Sequence, residues 1–140
     1  MLNRFRLEFP SRPDNVGLAR VTVAAFAAQI DPTLEELDDI KGAVSEAVAN
    51  AIVHGYDNSP DGVVTVEGVL YGDAIEVFVE DSGKGMEDVG QAMEPEFSTD
   101  PERLGLGFSF MQTFMDSVSV DSVPGRGTRV VMRKQFARRH

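Results

Sequence analysis

The chain of 140 residues has no cysteine, no tryptophan and no long apolar run. The absence of cysteine excludes disulfides, thiolate metal sites and thiol nucleophiles. No apolar stretch approaches the roughly 20 residues that a membrane-spanning helix needs. Arg4, Arg6 and Glu8 interrupt the start of the chain, where a secretory signal peptide would be apolar. We therefore expect a cytoplasmic protein with no membrane partner.

Positive charge is also scarce. The sequence has 13 Lys and Arg residues and 23 Asp and Glu residues, which gives a formal net charge of −10. Direct nucleic-acid binding needs a basic footprint, so we do not expect it. An acidic surface keeps a protein soluble and can complement a basic protein partner. The length, together with a hydrophobic content of 42%, fits one domain over 1–140 with a substantial core.

The hydrophobic periodicity predicts a mixture of strands and helices. Alternating or β-rich runs between turn residues predict strands at 2–9, 63–71, 74–80, 118–121 and 128–134. Three- and four-residue spacing predicts helices at 16–30, from Thr33 to about Gly55, and at 108–115. The segment 81–107 is irregular, with one short helix predicted near 87–93. This pattern is typical of a two-layer α/β sandwich, a mostly antiparallel sheet covered by helices.

Local signals indicate where the first two helices begin. Asp14 or Asn15 can cap the first helix, and Thr33 with Glu36 forms a capping box for the second. The residues of the first helix that are available for burial are Leu18, Val21, Ala25, Phe26 and Ile30.

The second helix carries two polar side chains on a face that is otherwise small and apolar. Glu46 and Asn50 are four residues apart, so they lie one above the other on that face. The opposite face is apolar throughout, which predicts a helix covered on both sides. A carboxylate in such surroundings must be paired, protonated or facing a polar cavity. A satisfied buried pair, a shallow surface patch and a functional site are the interpretations left open.

Two glycine motifs follow further along the chain. The motif Asp-Ser-Gly-Lys-Gly at 81–85 comes directly after a predicted strand. There Asp81 can accept a hydrogen bond from an exocyclic amine such as that of adenine, and Gly83 and Gly85 let the backbone approach a flat ligand. A plain turn explains the same residues. Gly105 and Gly107 precede a predicted helix, whose first N–H groups would suit a phosphate.

Taken in order, these motifs resemble the GHKL (Bergerat) ATP-binding fold of gyrase-type ATPases, Hsp90 and histidine kinases. The order is Glu-x-x-x-Asn on a helix, Asp-x-Gly-x-Gly after a strand, a lid, Gly-x-Gly at a helix start and Gly-Thr on a final strand. The segments 20–41 and 45–56 further resemble the anti-sigma F family of sporulation serine-protein kinases. The resemblance implies ATP and Mg²⁺ as cofactors, a homodimer, a bound and inhibited sigma factor of the sigma F type, and an anti-anti-sigma protein as the substrate phosphorylated on serine.

The resemblance also implies roles for individual residues. Glu46 would be the general base for the incoming serine hydroxyl, and Asn50 would hold Mg²⁺ and bridge it to the phosphates. Asp81 would recognise the adenine amine, with Gly83 and Gly85 beside the base.

Further residues complete the implied site. Thr128 would support the adenine pocket, Gly105 and Gly107 would present backbone to the phosphates, and Arg103 could reach the terminal phosphate. Arg20 matches a contact residue of the family for both protein partners.

Three other functions fit parts of the pattern. The general-stress anti-sigma kinases are the nearest alternative. A nucleotide-gated binding module without phosphotransfer is the second, although it would not require the carboxylate of Glu46. A histidine-kinase catalytic domain or an ATPase fragment ranks last, because the 140 residues contain no phosphoacceptor helices before the motif helix.

Overall fold

The computed structural model describes residues 1–83 and 104–137, so the helix predicted near 87–93 lies outside the described residues. The elements are β1 (Asn3–Pro10), α1 (Asn15–Ala27), α2 (Leu34–Asn50), β2 (Val63–Leu70), β3 (Ala74–Asp81), α3 (Leu104–Phe114), β4 (Ser117–Val123) and β5 (Gly127–Gln135). A 3₁₀ turn at Ala28–Ile30 extends α1, and a π-helical turn at Ala51–Gly55 extends α2. Within these two ranges, no helix is long and apolar enough to cross a membrane.

The strands form one antiparallel sheet in the order β1-β2-β3-β5-β4. Side chains of one face are buried under the helices, among them Val64, Val66, Val77, Val79 and Met132. The other face carries cross-strand ion pairs: Arg6–Glu67, Arg129–Glu80 and Arg133–Glu76. The predicted two-layer α/β sandwich is thus confirmed.

The second helix has the predicted start and the predicted burial. Thr33 Oγ1 accepts a hydrogen bond from Glu36 N at 3.0 Å, and Thr33 N donates to Glu36 Oε1 at 2.8 Å, which completes the capping box. Ile40 and Val44 are fully buried on one side of α2, and Ala43 is fully buried on the other. Because α1 and α3 both pack against it, α2 is the central helix of its layer.

The first helix differs from the prediction in its buried face. Phe26 is buried as expected and packs edge-on against Phe5, with ring centroids 4.7 Å apart. Leu18 and Val21, however, are 47% and 65% exposed, and Ala25 is exposed too. The residues that fill the core instead are Ala19, Val23 and Ala27. Because apolar residues lie on both the inner and the outer flank of α1, periodicity alone does not select the face that packs.

The predicted cap of α1 was also wrong. Asp14 stands at the N-cap position, but its side chain makes no capping hydrogen bond. Asn15 donates instead from Nδ2 to the carbonyl oxygen of Pro10 at 2.9 Å. This bond ties the start of α1 to the end of β1 rather than to its own first turn.

Lys134 on β5 connects three elements from a largely buried position, with a side chain only 12% exposed. Its Nζ donates to Asp39 Oδ2 on α2 at 3.2 Å and to the carbonyl oxygen of Phe114 at 2.8 Å. Phe114 is the last residue of α3, where a cation interacts favourably with the helix dipole. The last strand is therefore joined to both neighbouring helices by one ammonium group.

Replacing this ammonium group should destabilise the fold. Lys134→Met keeps an apolar side chain of similar length but leaves the Asp39 carboxylate and the Phe114 carbonyl without their donor. We expect the free energy of unfolding in urea to fall by about 1–3 kcal/mol. Lys41→Met is the matched control, because its pair with Asp38 spans 3.8 Å between side chains that are 42% and 77% exposed. There we expect a change below about 0.5 kcal/mol, and equal losses in the two variants would contradict the role of Lys134.

Candidate functional site

Asp81 ends β3 at a point where three strands meet. It is paired with Val64 of β2 on one side and with Thr128 of β5 on the other. Gly83 N donates to Asp81 Oδ1 at 2.9 Å, and the backbone of Thr128 also donates to this carboxylate. Burial nevertheless raises the pKa of Asp81 to about 6, against the opposing effect of these two hydrogen bonds. A half-buried carboxylate with acceptor capacity left over is suited to bind a donor group of a ligand.

The end of the π-helical turn lies directly against Asp81. A Cβ atom added to Gly55 would lie 2.8 Å from both Cγ and Oδ1 of Asp81, and one added to Gly83 would lie 2.0 Å from the carbonyl oxygen of Gly55. Only glycine at 55 and at 83 therefore lets the two backbones and the carboxylate come together. Sequence analysis identified Gly55 only as a helix end, because this contact arises between segments far apart in the chain.

Tyr56 fixes the segment that follows β3. Its hydroxyl donates to the carbonyl oxygen of Val63 at 2.7 Å and accepts from Ser82 N at 2.7 Å. One side chain thus joins the end of the motif helix, the start of β2 and the residue after Asp81. Sequence reasoning missed this residue, and no local pattern around it would have indicated the role.

Asn50 is buried on α2, one turn and a half before Gly55. Its residue exposure is 9%, and its Nδ2 atom has no hydrogen-bond partner within the described part of the chain. An unsatisfied buried amide costs about 1–3 kcal/mol, so it indicates a missing polar partner. A phosphate together with a cation would satisfy both the NH₂ group and the oxygen of this amide.

The surroundings of Asn50 fit a cation that is shared with a ligand. Among the residues 1–83 and 104–137, no group of three or more His, Asp and Glu side chains is placed to hold a metal ion. Mg²⁺ commonly binds through one or two protein oxygens, several waters and the phosphates of a nucleotide, rather than in a cage of protein ligands. The donor set therefore fits Mg²⁺ bound with a nucleotide.

Glu46 lies further back on α2, half-buried beside a groove of about 360 Å³ between α1, α2 and α3. The lining residues are Arg20, Lys41, Gly42, Ser45, Glu46, Phe110 and Phe114. Arg20 Nη1 donates to Ser45 Oγ at 3.3 Å. The rings of Phe110 and Phe114 are stacked with centroids 6.4 Å apart, and Phe110 is 48% exposed. The groove thus combines a carboxylate, two cations and an aromatic wall.

The residues on α2 are ordered along the helix axis. With a rise of about 1.5 Å per residue, Asn50 lies roughly 7 Å from Gly55, and Glu46 lies roughly 14 Å from it. Asp81 therefore marks one end of a row, with Asn50 in the middle and Glu46 at the groove. An extended nucleotide with its base at Asp81 would direct its phosphates toward Asn50 and then toward Glu46.

The glycine motif near 105 differs from the prediction. We expected a helix starting at 108, whereas α3 begins at Leu104, so Gly105 and Gly107 lie in its first turn rather than before it. The first four N–H groups of a helix, counted from the N-cap residue, have no acceptor within the helix. Gly105 therefore still offers a backbone donor, whereas the N–H group of Gly107 belongs to the hydrogen bonding of the helix itself. Gly85 and Arg103 lie outside the described residues.

Ionisation of Asp81 should lower the stability of the folded protein. Its pKa rises from the usual 3.8 to about 6 on folding, so between these values the folded state holds the extra proton. The free energy of unfolding that Asp81 contributes therefore falls as the pH rises from about 4 to 6. We measure the free energy of unfolding in urea at pH 4.5 and at pH 7.5. Between these pH values, we expect it to fall by about 1–3 kcal/mol more in the parent protein than in Asp81→Asn.

The neighbouring Glu80→Gln variant is the control for this experiment. Glu80 is 40% exposed and bound to Arg129 at 2.8 Å, so its removal should not reproduce the effect. Identical pH dependence of stability in the parent and Asp81→Asn would contradict the burial of a carboxylate at this position.

Comparison with known proteins identifies the family. The histidine kinase-like ATPase domain family matches residues 9–134, and its ATPase domain implies ATP binding. The anti-sigma F factor of Clostridium beijerinckii is 48% identical over 136 residues, 96% of this chain and 95% of that protein. The anti-sigma F factor of a Thermoanaerobacter species is 52% identical over 134 residues, 94% of this chain and 93% of that protein.

Solved structures agree with this at the level of the fold. A crystal structure of RsbU and RsbW domains from Mycobacterium tuberculosis has a TM-score of 0.69 at 19% identity, covering 96% of this chain and 32% of that one. The mycobacterial sensor histidine kinase MprB has a TM-score of 0.60 at 15% identity, covering 96% of this chain and 98% of that one. From the family match and the curated relatives, the chain belongs to the anti-sigma F factors, within the histidine kinase-like ATPase domain family.

Proposed function

We propose that this protein is an ATP-dependent serine kinase of the cytoplasm that binds and inhibits a sporulation sigma factor and phosphorylates an anti-anti-sigma protein. The observation that carries the proposal is the placement of Glu46 at an open groove, one turn along α2 from the unsatisfied amide of Asn50. A module that only binds nucleotide has no need of a carboxylate at that point.

In this proposal, Asp81 accepts a hydrogen bond from the exocyclic amine of adenine. The bonds from the backbone of Gly83 and Thr128 hold the carboxylate in one orientation, so little freedom is lost when the base binds. Thr128 is itself held, because its Oγ1 lies 2.8 Å from Ser122 Oγ. The family's ATP-binding domain and the burial of Asp81 support this assignment.

The phosphates would meet Asn50 and the first N–H groups of α3. Mg²⁺, when bound with the nucleotide, would neutralise charge on the phosphates. Asn50 would orient the phosphate group through its amide, and Gly105 would donate from its backbone. Phosphoryl transfer depends mainly on positioning and charge neutralisation, so these groups are sufficient without a covalent protein intermediate.

Glu46 would act on the acceptor. As the serine oxygen of the partner bonds to the terminal phosphorus of ATP, the bond from that phosphorus to the ADP oxygen breaks. Glu46 would take the proton that the serine hydroxyl loses, and ADP would leave with the electron pair. The groove gives a protein substrate access to this carboxylate from solvent.

The charges of the groove support protein partners. No carboxylate of the described residues lies within salt-bridge distance of Arg20, and Lys41 pairs only loosely with Asp38 at 3.8 Å. Two available cations on a chain of net charge −10 form a local positive site that favours an acidic or mixed-charge segment of a partner. We assign Arg20 to contacts with both the sigma factor and the anti-anti-sigma protein, each bound by a homodimer.

Loss of the carboxylate at 81 should weaken nucleotide binding. Asp81→Asn removes one acceptor and introduces a donor that faces the adenine amine. We expect the affinity for ATP to fall by about 1–3 kcal/mol, a factor of roughly 5 to 150 in Kd, measured by calorimetry with Mg²⁺ present. Glu80→Gln should bind ATP as the parent does, and equal affinity of Asp81→Asn and the parent would remove Asp81 from the adenine site.

Loss of the carboxylate at 46 should separate catalysis from binding. We expect Glu46→Gln and Glu46→Ala to slow phosphorylation of an anti-anti-sigma partner by about 10²–10⁴, with ATP affinity and the melting temperature nearly unchanged. The rate is measured with radiolabelled ATP followed by phosphoamino-acid analysis.

The exposed Glu35→Gln in the first turn of the same helix is the control, and it should leave the rate unchanged. A Glu46 variant that melts early, binds ATP poorly and still transfers phosphate in proportion to bound ATP would make Glu46 a structural residue. A parent protein that binds ATP but phosphorylates no partner would favour the nucleotide-gated binding module.

A further inference from the structure

The residue after Asp81 is held by a side chain from the end of the π-helical turn. Ser82 N donates to the hydroxyl oxygen of Tyr56 at 2.7 Å, and this hydroxyl donates in turn to the carbonyl oxygen of Val63 at 2.7 Å. A tyrosine hydroxyl has a single proton to donate, so its bond to Val63 leaves the oxygen lone pairs for Ser82. The position of Ser82 is therefore set by Tyr56.

The position of Ser82 in turn affects the orientation of the Asp81 carboxylate. Gly83 N donates to Asp81 Oδ1 at 2.9 Å, so an aspartate side chain accepts from the backbone two residues further on, as in an Asx turn. Such a turn closes only when the residue between its ends has a suitable backbone conformation. A shift of Ser82 would therefore move the Gly83 N–H group away from the carboxylate.

The other contacts of this segment limit its approach to β5. Gly127 begins β5, and a Cβ atom added to it would lie 2.8 Å from Ser82 Cα. A contact of this kind prevents closer approach but does not prevent separation. The hydrogen bond from Ser82 N to the Tyr56 hydroxyl opposes separation, so it is the restraint on which the alignment of the segment depends.

The ring of Tyr56 is itself fixed by its surroundings. It is partly buried against the core, and a Cβ atom added to Gly62 would lie 2.5 Å from its Cδ1 and Cε1 atoms. Gly62 is held to the end of β1, because Gly62 N donates to Ser11 Oγ at 3.0 Å and Ser11 N donates to the carbonyl oxygen of Gly62 at 2.9 Å. Ser11 is fully buried. The hydroxyl of Tyr56 is thus carried on a rigid support.

The backbone that follows Tyr56 has an unusual conformation. Asp57 and Asn58 have φ angles of 51° and 63°, in the left-handed region that few residues other than glycine adopt. Asn58 N donates to the carbonyl oxygen of Ile52 at 3.0 Å, which closes the end of the helix. Residues held in sparsely populated conformations cluster at functional sites, so the sharp bend after Tyr56 favours a role beyond packing.

We propose that Tyr56 is a positioning residue of the nucleotide site, whose hydroxyl holds Ser82 and thereby keeps the Asp81 carboxylate oriented toward the 6-amino group of adenine. This inference rests on the adenine contact of the proposed function and adds the residue that aligns it. Tyr56 acts through the backbone and does not need to touch the nucleotide. Its hydroxyl should therefore affect recognition of the amino group and not binding of the triphosphate, whose proposed contacts lie at Asn50.

Purine riboside triphosphate tests this role, because it differs from ATP only in lacking the 6-amino group. For the parent protein, we expect a Kd for ATP about 5 to 150 times lower than for this probe, measured by calorimetry with Mg²⁺. Tyr56→Phe keeps the ring against Gly62 and removes the hydroxyl. We expect this variant to lose at least about threefold of the preference for ATP, with its affinity for the probe within about twofold of the parent.

Tyr71→Phe is the matched control for the loss of a hydroxyl. Tyr71 is the second of the two tyrosines in the sequence, and its hydroxyl donates to Glu76 Oε1, near the end of β3 that is remote from Asp81. This variant should keep the parent's preference for ATP. A role of Tyr56 in folding alone would weaken the binding of ATP and of the probe by the same factor, and the preference would not change.

A second pair of variants displaces the ring and keeps the hydroxyl. Gly62→Ala introduces the Cβ atom that would lie 2.5 Å from the ring of Tyr56, so the ring must move and the preference for ATP should fall as in Tyr56→Phe. Gly72→Ala is the control, because an added Cβ there meets no atom of the described residues within 4 Å. It should prefer ATP as the parent does.

The outcomes separate this inference from the proposed function. A parent protein that binds ATP and the probe equally, or binds neither, overturns the adenine contact of Asp81 and the role of Tyr56 together. A parent that prefers ATP, with the same preference in Tyr56→Phe, overturns the role of Tyr56 alone. If Tyr56→Phe fails to fold, an unchanged preference in Gly62→Ala overturns it instead.

Discussion

The candidate site depends on Asp81, a half-buried carboxylate without a neighbouring cation among the described residues. Within the described part of the chain, no lysine or arginine forms an ion pair with Asp81, and two backbone N–H groups are its support. The raised pKa of Asp81 indicates that these two hydrogen bonds do not fully offset the free-energy cost of desolvating the carboxylate. A ligand that brings a donor into this site would recover part of that cost, and a protein without such a ligand would gain stability by replacing the residue. The uncompensated desolvation of Asp81 therefore supports its proposed role in ligand binding.

The rest of the site is positioned relative to this carboxylate through α2. At one end, Gly55 touches Asp81, and Tyr56 bonds to both neighbouring strands. At the other end, the capping box fixes the first turn, and Lys134 ties Asp39 to β5 and α3. A helix held at both ends cannot slide or rotate against the sheet, so the positions of Asn50 and Glu46 relative to Asp81 are fixed. The π-helical turn between Asn50 and Gly55 adds one residue to the ordinary turn, and such turns are frequent at functional sites.

Much of this arrangement could be predicted from the sequence, because it depends on local signals. The capping box of Thr33 and Glu36, the hairpin between β2 and β3 and the apolar face of α2 each follow from patterns a few residues long. The contact between Gly55 and Asp81 could not, because those residues are far apart in sequence and meet only in the folded chain. The start of α3 was missed for another reason. Glycine is a poor helix former. Two glycines at 105 and 107 therefore predict a loop, although the structure places them in the first turn of α3.

The wrong prediction of the buried face of α1 has a different physical cause. Leu18, Val21 and Ala25 were expected in the core, and they are apolar enough to belong there, but the fold turns them outward. Apolar residues lie on both the inner and the outer flank of α1, so the prediction was wrong about the buried face and right about the helix itself. Arg20 is the one charged residue of α1, and it faces the groove with Glu46. The charged side of α1 is therefore the side that lines the groove, and its position beside Glu46 supports the proposed contact of Arg20 with protein partners.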